Sequence, residues 1–408
     1  MTVHEVRNRF IEFYANKGYK QLPAYSLLNP LFPHTFLPSA MLALWVPEIE
    51  QADIRQSMRI QGCIRATDID LISTGNHLTF FEMAAAVVLT DEELSEVQEK
   101  IIGFCFHFLT KVLGIDNRNL WATVFGGDQV FNIFHDADQV SYNIYIKLGI
   151  PKERIVIYGA TNNFSGIGEK EIVAGPSTEL FYDKGLKLSC ANEICLPGHS
   201  KTCRRFLELA NIVFMIYDRR TDGNITYLVP RNKKIAGSAV GIERVVSITQ
   251  RKERVAQIEE IESLLHHLGV VGFDNIIVEE LIDAIRTIVF MVGSGAQPGH
   301  GGRAYVVKKF IRKYLNLLHL LHLPYSVTEN IVKSVIEQYQ ENYKFLHNKH
   351  NTIMQIIDKE QKIFVANCTK AYIQLKRLLL KNNESSVLEI ISRQYGIDRR
   401  IIERWVYK

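Results

Sequence analysis

MRIQGCIR (58–65), TFFEMAAAVV (79–88) and AGSAVGIERVVSI (236–248) are the stretches on which the fold turns. The first two read as strands joined by a polar loop, ATDIDLISTGNHL (66–78), and predict an antiparallel hairpin. Arg65 closes one strand, and the pair Phe81-Glu82 stands near the start of the other. That arrangement suits a nucleotide: a guanidinium for an α-phosphate, a ring to stack on the base, and Glu82 beside it. The third stretch is rich in small residues and runs into a helix with Arg244 in its first turns. Small residues such as Gly241 permit close approach, and a second arginine can brace a γ-phosphate from the other side. An arginine beside an aromatic ring is usually an exposed strand end, so each piece gains weight only from the other two.

Outward from this centre, Val6, Phe10, Phe13 and Tyr14 fall on one helical face, with Gly18 as a stop. Residues 21–65 look strand-like, with Pro23, Pro30, Pro33, Pro38 and Pro47 breaking any long helix. A helix over 91–114 precedes two buried strands, LWATVFGG (120–127) and RIVIYGA (154–160), around a helix near 136–148. From about residue 250 the periodicity is almost wholly helical, over 255–268, 279–292, 304–321, 326–347 and 352–380. The expectation is an α+β fold: an antiparallel sheet flanked by helices over 1–249, then an all-helical domain over 250–408.

Of the 408 residues 47% are apolar and 23% charged, enough for a sizeable core. No apolar run approaches the roughly 20 residues that span a bilayer, Met1–Phe10 does not resemble a signal peptide, and six cysteines are too few for a disulfide scaffold. A cytoplasmic protein is expected. Lys and Arg number 48 against 44 Asp and Glu, but residues 301–408 hold 19 against 9, and the first 300 hold 29 against 35. The basic C-terminal part fits a polyanion, nucleic acid first; a solvated lysine-rich helical surface is the alternative. Within SCANEICLPGHSKTC (189–203), Cys190, Cys195, His199 and Cys203 are either a set for structural zinc or four unconnected residues. GSGAQPGHGG (293–302) lacks the ending of a P-loop and reads as an interhelical connection; Cys105 and Cys368 read as core.

QGCIRA and HLTFFEM are similar to the motif 2 hairpin of alanyl-tRNA synthetases, and VGIERV to their motif 3. The resemblance runs through FIEFYANKGYKQLPAYSLL (10–28), NNFSGIG (162–168), GPSTELFYD (175–183) and LELANIVFMIYDRRTDG (207–223). It continues in AIRTIVFMVGSGAQPGHGGRAYVVKKFIRK (284–313), KEQKIFVANCTKAYIQL (359–375) and RQYGIDRRIIE (393–403), and so covers nearly the whole chain. It implies a class II aminoacyl-tRNA synthetase sheet followed by tRNA-recognition helices, with ATP and Mg²⁺ as cofactors and tRNA as partner. Arg65 then corresponds to the arginine on the α-phosphate, Phe81 to the adenine-stacking ring and Arg244 to the arginine on the γ-phosphate. Asn211 lies near the amino acid. The chain ends where the family's editing and C-terminal domains begin.

The departures concern the acyl pocket. Gly237 replaces an aspartate that holds the substrate ammonium, a charge-assisted bond worth about 1.5–3 kcal/mol. Ser165 replaces a tryptophan, Ala210 is the first member of the family's Trp-Asn pair, and Ala239 replaces a glycine. Either the acid is not alanine, being bulkier or lacking a free α-ammonium, or a neighbour such as Glu179 or Asp218 takes over the ammonium. On the RNA side, Lys308, Lys309, Arg312 and Lys313 occupy adjacent faces of one helix that begins near Arg303, suited to an acceptor-stem backbone. Gly302 stands where the family reads a G·U pair with asparagine, and Asp398 matches its second reader. Three functions are therefore carried forward: adenylation of alanine or a related acid with transfer to tRNA; adenylation of another carboxylate with transfer to a carrier protein, peptide or amine; and tRNA binding without catalysis.

Overall fold

The computed structural model describes residues 1–39, 42–168, 171–190, 194–269, 276–380 and 384–407. Its main strands are β1 (Gln56–Ile64), β2 (Phe80–Thr90), β3 (Leu120–Phe125), β4 (Ile155–Tyr158), β5 (Val173–Asp183), β6 (Phe206–Asp222) and β7 (Ile225–Gly241). In the sheet the order is Lys20–Gln21, β1, β2, β7, β6, β5, β3, β4. From β1 to β3 every pairing is antiparallel. Parallel pairs close the two edges, Lys20–Gln21 on β1 and β3 on β4. The expected 58–65/79–88 hairpin is β1 and β2, with Cys63 opposite Phe81. Asp222 pairs with Ile225 across a two-residue turn in which Gly223 has φ +57°, the positive value that a tight hairpin demands.

Alternation along β2 sorts the two faces. Ala84, Ala86 and Val88 join the large core with α1 (Val3–Ala15) and α3 (Leu94–His107), whereas Ala85, Val87 and Leu89 face the other way. That second face is covered at one end by α2 (Leu42–Gln51), which buries Ala43, Trp45, Val46 and Ile49. The strand-like expectation for 21–65 is corrected here: Pro47 sits inside a ten-residue helix. Its missing N–H costs one bond, and the apolar i, i+3 spacing outweighs that loss. After α4 (Gln139–Lys147) and α5 (Ile242–Thr249) come α6 (Ile276–Gly293), α7 (Gly302–Leu320), α8 (Val327–Tyr339), α9 (His350–Leu379), α10 (Glu384–Tyr395) and α11 (Arg399–Val406). The 293–302 segment is the α6–α7 connection.

One apolar core runs from the sheet into these helices. Phe80 stacks on Phe290 with ring centroids 3.5 Å apart, and α6 is buried along nearly its whole length. Polar bonds pin the same seam: Thr79 N–H donates to Asp283 Oδ1 (2.9 Å), and Arg254 pairs with Glu279 (2.6 Å). Cys105 is core as expected; Cys368 is only half-buried. Among the described residues, no helix is long and apolar enough to cross a membrane.

Candidate active site and basic groove

A cleft opens on the face of the sheet opposite α1 and α3, where β1, β2, β6 and β7 converge. Its nucleotide end is lined by Arg65, His77, Phe81, Glu208, Gly241 and Arg244. Arg65 leaves the end of β1, where its Nε donates to Pro38 O (2.8 Å) and its guanidinium lies 4.9 Å from the centre of the Phe81 ring. The guanidinium thus covers one face of the Phe81 ring. Arg244, in the first turn of α5, pairs with Glu208 at 2.9 Å. Glu208 is a functional candidate that the sequence reading passed over, although it lay in the quoted LELANIVFM. It lines the nucleotide end and both adjoining compartments. Burial opposes its charge, but Arg244 and then Arg65 hold its carboxyl below the usual range. His77 is pushed down to about 4 by burial and the field of Arg244, so it is a neutral imidazole in the cleft.

Next to the nucleotide end lies a second compartment lined by Trp45, Arg65, Ser165, Glu171, Glu208, Asn211, Gly237 and Ala239. Four of the five expected acyl-pocket residues therefore meet in one cavity. The fifth, Glu179, opens into a neighbouring compartment with His77 and Arg244, and accepts a bond from Asn211 Nδ2 (3.1 Å). Burial, followed by the nearby charge of Glu208, pushes the Glu179 carboxyl well up, so it is a poor partner for an ammonium. Asp218 is no substitute either, because it is bound to Arg231 farther along β6.

Three of the expected residues are turned away from the cleft or already engaged with other groups. Glu82 points away from the cleft, as period-2 alternation dictates with Phe81 facing it. It is fully buried, bonded to Arg7 (3.0 Å) and to the Tyr343 hydroxyl (2.5 Å), and so holds the helical region to the sheet rather than a nucleotide. Arg303 donates to Phe32 O (Nε, 3.0 Å) and Asn29 O (Nη2, 2.7 Å), which ties down the 29–32 loop and leaves little for RNA. Asp398 caps α11 through the Arg400 N–H (2.9 Å) and pairs with the Arg400 guanidinium (2.7 Å); its carboxylate is occupied, although it lines the groove described next.

Lys308, Lys309, Arg312 and Lys313 do come together, in a groove of about 490 Å³ between α7 and the α10–α11 corner that also holds Tyr305 and Arg400. Lys313 is tethered to Glu280 (3.2 Å) and Ile69 O (3.1 Å). The other three point into the groove.

Cys190, Cys195, His199 and Cys203 place one ligand atom each within 4.8 Å of one another. Cys195 Sγ lies 3.7 Å from Cys203 Sγ, and Cys190 Sγ 3.1 Å from His199 Nε2. Those separations suit a tetrahedral site with bonds of about 2.0–2.3 Å. His199 Nδ1 bonds Leu196 O, which fixes the tautomer that leaves Nε2 free as a ligand. The residues present therefore fit zinc, which would act by cross-linking a loop with little core of its own. On that basis, chelation is expected to lower the melting temperature, and Cys195→Ser to abolish zinc bound near one equivalent per chain. Equal metal content in wild type and variant by mass spectrometry would remove the site.

An antiparallel sheet of this order, flanked by helices and carrying a cleft between two arginines, has the layout of the class II aminoacyl-tRNA synthetase catalytic fold. The family model described as "tRNA synthetases class II (A)" matches residues 5–392, and the chain belongs to that family. It is similar to the alanine–tRNA ligase of Natranaerobius thermophilus, 30% identical over 377 residues, which are 89% of this chain and 40% of that protein. The alanine–tRNA ligase of Carboxydothermus hydrogenoformans is 28% identical over 403 residues, 96% of this chain and 44% of that one. The chain thus spans less than half the length of these curated relatives. Among solved structures, the apo histidyl-tRNA synthetase of S. aureus aligns with a TM-score of 0.36 and 11% identity, over 62% of this chain and 71% of that one.

Proposed function

We propose that the chain activates a small carboxylic acid, alanine or a related acid, as its adenylate and passes the acyl group to a tRNA 3′ end. The observation that carries this is the position of Arg65, which lines both the nucleotide end and the acyl compartment. An α-phosphate bound there would face a carboxylate placed beside Asn211, the arrangement an in-line displacement needs. Arg244 would meet the outer phosphates, and Glu208, the ionised carboxylate between compartments, is the residue to hold Mg²⁺, whose chemistry is to offset phosphate charge. In this reading residues 1–249 form the adenylating unit and 250–408 the RNA-binding one. ATP–pyrophosphate exchange over a panel of acids, with and without tRNA, tests it; absence of exchange together with tight tRNA binding would leave RNA binding alone.

A second reading, transfer to a carrier thiol, peptide or amine, is favoured by the pocket changes at Gly237 and Ser165 and by the occupied carboxylate of Asp398. The groove distinguishes the two. If it binds an acceptor stem, Lys308→Ala, Lys309→Ala and Arg312→Ala should each weaken binding across tRNA sequences and lower the slope of log K against log salt by about 1. An unchanged slope in the triple variant would exclude a phosphate-binding role.

A further inference from the structure

The floor of the acyl compartment is built in cross-strand rows. Ala85, Ala239 and Asn211 form one row; Val87, Gly237 and Val213 form the next, one alternate-residue step of about 7 Å farther from Arg65. Beyond them stand Met215, Trp45 and Leu42. The cavity measures about 260 Å³, whereas a void of about 150 Å³ already holds a benzene ring. The space also takes in Arg65 and Glu208, where the carboxyl end of the acid would sit, and a methyl group over the first row would leave the second row, Val87, Gly237 and Val213, uncovered. At the second row, any side chain on residue 237 meets Ala86 O at 2.6 Å and Val87 Cγ2 at 2.9 Å. A carboxylate cannot be put back there without moving β2, and Val87 presents an isopropyl group in its place. Within the first row Asn211 lines the compartment, and its Oδ1 is buried without a hydrogen-bond partner among the described residues, the amide nitrogen being given to Glu179.

Resting on the adenylation reading above, we propose that the acid activated here carries an apolar side chain of leucine or isoleucine size, recognised at its α-position by Asn211 Oδ1. An amide oxygen accepts from a hydroxyl as well as from an ammonium, whereas a carboxylate selects the cation. The substrate class is therefore wider than amino acids: 2-hydroxy acids with the same side chain enter alongside 2-amino acids. The side chain lies over Ala239 and Gly237 against Val213, Met215 and Trp45, and Ser165 forms the wall at its side.

Calorimetry with stable adenylate mimics reads the pocket without requiring turnover. The probes are the alanyl, leucyl and 2-hydroxyisocaproyl derivatives of 5′-O-sulfamoyladenosine, with ATP as a separate ligand. The leucyl and hydroxyisocaproyl compounds should bind at least tenfold more tightly than the alanyl one, and within tenfold of each other. Ser165→Trp should cut the leucyl-over-alanyl preference at least tenfold, and Asn211→Asp should raise the amino-over-hydroxy preference by a similar factor. Alanyl binding as tight as leucyl overturns the side-chain assignment, and a hundredfold penalty on the hydroxy compound, or no response to Asn211→Asp, overturns the role of Asn211. If ATP binds and none of the three mimics does, this proposal falls alone; if ATP fails as well, the adenylation reading falls with it.

Discussion

Arg65→Ala is expected to reduce ATP–pyrophosphate exchange by about 10²–10³-fold, the loss typical of removing one preorganised charge from a developing oxyanion site. Three features set that size. The guanidinium lies where the two compartments meet, where on the proposed adenylation reading it would face the phosphorus under attack from the acid. It is held from one side by Pro38 O at 2.8 Å, leaving its other nitrogens for phosphate oxygens. It also lies over Phe81, so its removal bares the adenine face. ATP binding should consequently weaken far less than turnover, and kcat should fall more than KM rises. A variant that loses ATP affinity and exchange in equal proportion would mean that Arg65 binds the ground state only. Arg65→Lys should recover little, because a point charge does not reproduce the planar fork.

Glu82→Ala carries the largest expected stability effect, a loss of about 3–5 kcal/mol, because removing one partner of a buried pair strands the other. Arg7 would keep a largely buried charge without its carboxylate, and the Tyr343 hydroxyl would lose its acceptor. The same carboxylate sits beside Glu243, whose Oε2 accepts the Glu82 backbone N–H at 2.9 Å; burial and then Glu82 push the Glu243 carboxyl up to about 7. Deleting Glu82 thus relieves one repulsion while exposing Arg7 to an unmatched burial cost, and the second term is the larger since an unpaired buried charge is worse than a strained pair. Denaturant titration measures the loss. ATP affinity of the folded fraction should stay within a factor of two or three; a selective loss of ATP affinity with unchanged stability would return Glu82 to the nucleotide site.

Glu82 also shows where sequence reasoning stopped. The sequence offers Phe81 and Glu82 together as a nucleotide-holding pair, yet period-2 alternation along a strand puts adjacent residues on opposite faces. That rule was available and would have separated them. Arg303 and Asp398 are different cases: nothing local to either residue reports that the carbonyls of Asn29 and Phe32 lie within reach of one, or that the other caps α11. Glu208 was visible in LELANIVFM, yet its importance comes from facing Arg244, 36 residues away. Pro47 misled in the other direction, since a proline argues against a helix until the burial of Trp45 and Ile49 beneath the sheet is known.

The amino-acid sequence by itself determined the β1–β2 hairpin and the helical second half, and it marked Arg65, Arg244 and the set Cys190, Cys195, His199 and Cys203 as candidates. Each of these depends on periodicity or spacing within a short stretch, or on motifs that carry a family resemblance. Tertiary structure alone decided which partner each carboxylate meets, which cations are already engaged, and that position 237 has no room for a side chain. Those outcomes depend on contacts between strands and helices distant in the chain, where a shift of a few ångströms decides whether a charge meets a ligand, a carbonyl or another buried charge.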